Sequence, residues 1–109
     1  MTKKRKRRSD RKHLVYRIDN LVTGEFYIGI TVVTGAAFIK SVKARFKRHV
    51  SRALNENKQW NLCNSIREYG PTNFQPTIIE HIIGKAAAHI REVQLINELN
   101  PQLNTQRAL

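Results

Sequence analysis

LVYRIDNLVTGEFYIGIT, residues 14–31, divides into two short apolar arms around the turn-forming run Asp19, Asn20, Thr23 and Gly24. Val15, Tyr16 and Ile18 on the first arm, and Phe26, Tyr27, Ile28 and Ile30 on the second, are the β-branched and aromatic types that suit a pleated, half-buried surface. The spacing predicts an antiparallel hairpin. Its connection is too long for a two-residue turn and contains a glycine, so it should be irregular. Alternation along a strand puts Tyr16 on a face with Leu14 and Ile18, and Tyr27 on a face with Gly29 and Thr31. Glycine weakens a strand interior, so Gly29 implies close approach of another backbone or of a ligand.

Outward toward the N-terminus lies MTKKRKRRSDRK, residues 1–12, with eight basic residues and one acid. The whole chain carries 20 Lys plus Arg against 8 Asp plus Glu, a formal net charge of +12, and this segment holds +7 of it. A block of like charge repels itself and buries nothing, which predicts a disordered basic arm over 1–12 ahead of a folded domain over 13–109. Lys3, Lys4, Arg5, Lys6, Arg7 and Arg8 are the residue types that release condensed counterions from nucleic acid phosphates. Apolar residues make up 40% of the chain, and no apolar run approaches the roughly 18 residues of a membrane span. This excludes a membrane protein, and no secretory signal is visible, so an intracellular, cytoplasmic location is expected. Cys63 is the single cysteine, which rules out an internal disulfide, and no Cys/His cluster has zinc spacing.

Toward the C-terminus, VVTGAAFIK over 32–40 reads as a loop around Gly35. From 38 to 54, Ile39, Val42, Phe46, Val50 and Ala53 recur at helical spacing and predict one buried stripe. Lys40, Lys43, Lys47, Arg48 and Arg52 lie mostly off it, giving a cationic helix. Arg45 and His49, four residues apart, share a side beside the stripe. A second helix is predicted over 61–69, stopped by Gly70 and Pro71, with Trp60 and Cys63 as packing residues. FQPTIIEHII, 74–83, reads as a third strand, with Pro76 arguing for an edge position or the strand's entry point. AAAHIREVQLINEL, 86–99, is a helix by propensity, with Ala86, Ile90, Val93, Ile96 and Leu99 expected to face the core. Glu92 has Ala88, Leu95 and Ile96 among its neighbours one turn away, so its carboxylate sits at the core border and needs a partner or a cation.

Several of these residues fall in the order of one family. LVY at 14–16, YIG at 27–29, Arg45 and His49 within ARFKRH, and Glu92 and Asn104 within EVQLINELNPQLN resemble the signature of the GIY-YIG nucleases. Leu14 stands where the family often has glycine, and the link from Gly29 to Arg45 is several residues longer than usual, leaving Lys43 and Arg48 as competing registrations. The resemblance spans 14–105. It implies an α/β fold of the α+β kind: a three-stranded, mainly antiparallel sheet flanked by about three helices. It further implies Tyr16, Tyr27, Arg45, His49, Glu92 and Asn104 as the catalytic set, acting on DNA.

The chemistry explains why such residue types are needed. Phosphodiester hydrolysis requires a deprotonated water, stabilisation of charge on the phosphate, and help for the leaving oxygen. A divalent cation can supply the last two, and Mg²⁺ (or Mn²⁺) suits one carboxylate plus waters and substrate phosphate, which Glu92 offers. Arg45 would clamp the phosphate through its planar fork. The resemblance makes Tyr16 the candidate general base, although Tyr27 competes for the role, with Tyr27 and His49 orienting the water and Asn104 bracing the site. Lys43, Lys47, Arg48 and Arg52 would hold the backbone. Phosphate contacts position without specifying, so sequence specificity is expected to be low or lent by a partner protein. One site per chain implies nicking, unless a homodimer forms. The chain resembles small free-standing members carried by phages and mobile elements, homing endonucleases among them, which would act in a host cytoplasm. The rival readings are a non-catalytic nucleic-acid-binding protein of the same fold and a structure-specific repair nuclease.

Overall fold

The computed structural model describes residues 11–33 and 37–105, so the expected arm from Lys3 to Arg8, and Gly35 in the expected loop, lie outside the described residues. The hairpin forms as β1 (Lys12–Asn20) and β2 (Phe26–Val32), with Tyr16 opposite Gly29 and Ile18 opposite Tyr27. Opposed residues share a face, so both tyrosines project to the same side. Asn20 organises the connection. Its Oδ1 accepts the amides of Val22 and Thr23 at 2.9 and 3.2 Å, and Gly24, at φ +79°, donates its N–H to the Asn20 carbonyl at 2.8 Å. A positive φ favours glycine there.

β3 (Phe74–Ile83) pairs antiparallel with the other side of β1, giving the order β2-β1-β3 and placing Pro76 in an edge strand. Val15 opposes Glu80 while Tyr16 opposes Ile78, which leaves Ile79 as the extra residue of a bulge. α1 (Phe38–Asn55) and α2 (Asn61–Tyr69) cover the face of Leu14, Tyr16 and Ile18, burying Val42, Ala53, Leu62, Cys63 and Ile66 against it. On the opposite face α3 (Lys85–Leu99) packs Leu95 and Ile96 on Val15, Phe26 and Ile28. Among the described residues no helix is long and apolar enough to cross a membrane.

Three expectations about packing need correction. On α1, Ile39 is exposed at the helix start, and Ser41 and His49 are buried instead. On α3 the buried side is turned: Ala88, Leu95 and Ile96 face the core, whereas Ala86, Ile90 and Leu99 are exposed and Val93 is half-buried. Apolar residues lie on most sides of this helix, so periodicity alone could not select the face, and the adjacent pair Leu95 and Ile96 settles it against the narrow sheet. Trp60 does not pack; it is 41% exposed. The tail also does more than end the chain. Leu103 donates its N–H to the Phe26 carbonyl at 3.0 Å, and Asn104 pairs with both backbone groups of Ile28 at 2.9 Å, covering the outer edge of β2.

Candidate active site

Tyr16 and Tyr27 are held by the hairpin register, and α1 lays His49 against them. The Tyr16 hydroxyl lies 2.9 Å from His49 Nε2, and the Tyr27 and His49 rings meet edge-on with centroids 5.1 Å apart. Gly29 is explained by this cluster. A Cβ there would come within 2.7 Å of the Tyr16 Oη and 2.8 Å of Tyr27 Cε1, so two side chains make a close approach there. Arg45, one turn before His49, keeps its Nε buried without a hydrogen-bond partner.

A cavity of about 510 Å³ opens beside this cluster, walled by Tyr27, Arg45, His49 and Arg52 from one side and by His89, Glu92 and Val93 from the other, with Leu62, Ile96 and Leu103 beneath. Because α1 and α3 lie on opposite faces of the sheet, the cavity reaches both only by passing the outer edge of β2, which Asn104 borders. Five of the six expected residues, Tyr27, Arg45, His49, Glu92 and Asn104, line it. Tyr16 stands directly behind, with no exposed surface. Arg45 is the cation of its segment that reaches the cavity; Lys43, Lys47 and Arg48 point to solvent, and Arg52 lines the rim.

Burial sets the electrostatics. It pushes both tyrosine hydroxyls above the usual phenol range. For Tyr27 the Glu92 charge adds to that rise, while a hydrogen bond from Tyr16 and the charges of Arg45 and Arg52 pull the other way. His49 is pushed down to about 4, by burial first and by Arg45 and Arg52 second, so it is neutral at pH 7. Burial also raises the Glu92 carboxyl, against the pull of His89, whose Nδ1 is 3.5 Å away. Among the described residues no three His, Cys, Asp or Glu side chains cluster to hold a metal. One carboxylate, 18% exposed and facing an open cavity beside Arg45 and His49, suits a hard cation that keeps most of its ligands as water and substrate oxygen. The donor set therefore fits Mg²⁺ or Mn²⁺ better than a cation that needs a protein cage.

Trp60, His89 and Thr105 also line the cavity and were not expected there. His89 had a signal in its i, i+3 spacing from Glu92, and Trp60 in its basic neighbour Lys58; Thr105 had none.

The family comparison places this small three-layer domain in the nuclease class. The sequence profile described as the GIY-YIG catalytic domain matches residues 12–106, and the chain belongs to the GIY-YIG family. The solved catalytic domain of homing endonuclease I-TevI is similar with a TM-score of 0.66 and 24% identity, covering 89% of this chain and 98% of that one. A point mutant of the catalytic domain of intron endonuclease I-TevI gives 0.67 and 24%, covering 90% and 94%. At this identity the likeness is one of fold. No curated protein sequence matches the chain.

Proposed function

We propose that the chain is a metal-dependent endonuclease that hydrolyses DNA phosphodiester bonds, with Glu92 holding Mg²⁺ or Mn²⁺. The observation that carries this is the meeting of Tyr27, Arg45 and His49 from one side of the sheet with Glu92 from the other around one cavity. Family membership supports the nuclease chemistry, and the resemblance in fold to a homing endonuclease domain supports DNA as substrate.

In this reading Arg45 binds the scissile phosphate, its fork aimed from a buried base where charge-assisted hydrogen bonds are strong. The general-base role expected of Tyr16 passes to Tyr27, because Tyr27 lines the cavity and Tyr16 exposes no surface to a water. Tyr16 backs Tyr27 with a hydrogen bond that favours its phenolate. Neutral His49 fixes the Tyr16 hydroxyl at 2.9 Å and extends the chain along which a proton is shared. A cation bound at Glu92 would act as Lewis acid on phosphate and leaving oxygen and would offset the carboxylate charge that holds Tyr27 up. Asn104 braces β2 beside the site. Lys43, Lys47 and Arg48 hold backbone without reading sequence, so specificity is low or lent by a partner, and a single site nicks unless two copies meet.

Conversion of supercoiled plasmid to nicked and linear forms tests the proposal. Relaxation with Mg²⁺ that stops in EDTA and falls at least ~10³-fold in Glu92→Gln is expected. Salt-sensitive DNA binding with no cleavage under any divalent metal would overturn it in favour of a binding protein.

A further inference from the structure

Trp60 is the chain's single tryptophan and lies outside both buried clusters, 41% exposed. Large aromatic side chains are ordinarily drawn into a core or an interface by the apolar area they offer. Here the indole stands in the extended link just before α2, at φ −73° and ψ 149°, on the wall of the cavity that holds Tyr27 and Glu92. Two cations lie over its ring: Arg52 Cζ and Lys58 Nζ are each 5.6 Å from the centroid. Arg52 lines the same cavity. A planar ring 41% exposed, with two cations near it and a phosphodiester site next to it, is a specific combination. Aromatic rings paired with a basic track are how proteins hold unpaired strands, since every base has a π-face to stack.

We infer that Trp60 is a stacking platform for an unpaired nucleobase of the strand being cut, with Arg52 and Lys58 on the phosphates beside it. This rests on the nuclease reading and adds a preference to it. Inside a duplex both faces of a base are covered by its neighbours, so the indole can accept only a base that has left the stack. The chain should therefore favour frayed ends, single-stranded overhangs and distorted sites over intact duplex, without reading which base is present.

The test uses the full chain carrying Glu92→Gln, so that DNA is bound and not cut. Trp60 emission is followed while a labelled duplex with a single-stranded overhang is titrated, and anisotropy of the label reports binding independently. Quenching by the overhang, its loss when the overhang is abasic, and weak quenching by blunt duplex are expected. Replacing Trp60 by Ala should weaken overhang binding on the order of 5- to 150-fold while Trp60→Phe retains most of it and blunt-duplex binding is unchanged. Overhang binding by anisotropy with unaltered Trp60 emission would overturn the inference and leave the nuclease reading standing. Equal affinity of Trp60→Ala and the unaltered ring would do the same. Absence of any DNA binding by anisotropy would overturn both.

Discussion

Beneath α1 and α2 the sheet buries Tyr16, His49, Asn20 and Ser65, polar groups that must each find a partner; beneath α3 it packs Val15, Phe26, Ile28, Leu95 and Ile96, an apolar cluster. On the first side the Tyr16 hydroxyl meets His49 at 2.9 Å, and Asn20 Nδ2 donates to Ser65 Oγ at 3.0 Å. Such contacts contribute little net stability but are costly to leave unmade, so they fix one arrangement. The second side stabilises by area removed from water and tolerates exchange of one aliphatic for another. The same three strands thus carry the tyrosine–histidine contact on the face that also holds the larger apolar cluster, and a smaller apolar cluster on the other. Glu92 comes from that other side: α3 carries it round the edge of β2 into the cavity.

The contrast can be broken or sharpened by substitution. Leu95→Ala, on the apolar side, should cost ~2–5 kcal/mol by urea unfolding, with cleavage rate unchanged below its melting temperature. Gly29→Ala adds a methyl into the tyrosine pair at 2.7 Å from an Oη that His49 already holds. It should cost ~1–3 kcal/mol and, unlike Leu95→Ala, also slow cleavage, because the displaced groups are those of the site. An effect of pH is also expected. His49 titrates at about 4 when folded against an ordinary 6.5, so the unfolded chain binds the extra proton first. Its contribution is present above pH 6.5 and lost as pH falls toward about 4. Thermal melts across that window should show a falling midpoint, with a shallower fall in His49→Gln.

Local signals made much of the frame legible. β-branched and aromatic runs bounded by Asn20 and Gly24 gave the hairpin, and Gly70 with Pro71 ended α2 at Tyr69. Pro76 argued for an edge position or an entry point, and β3 is an edge strand. What was not legible depended on which surfaces meet. The turn of α3 was hidden by apolar residues around the helix, and the pairing of Asn104 with Ile28 joins positions 76 apart in sequence. Tyr16, Tyr27, Arg45, His49, Glu92 and Asn104 were singled out as a set by their order, as in the family resemblance. That Tyr27 lines the cavity while Tyr16 lies behind it followed only from the folded register. Trp60 was misjudged because burial is the usual fate of an indole, and nothing local said that the link before α2 stands clear of both clusters.

Tyr27 and Ile28 are neighbours on one strand and point to opposite faces, so single-turnover cleavage rates of Tyr27→Phe and Ile28→Ala, each read with its melting temperature, put the division most directly to the test. Tyr27→Phe should melt near the unaltered protein and cut ~10²–10⁴-fold more slowly, as loss of a general base does. Ile28→Ala should melt well below it yet cut at the normal rate while folded. A full rate in Tyr27→Phe, or a slow rate in folded Ile28→Ala, would contradict the account.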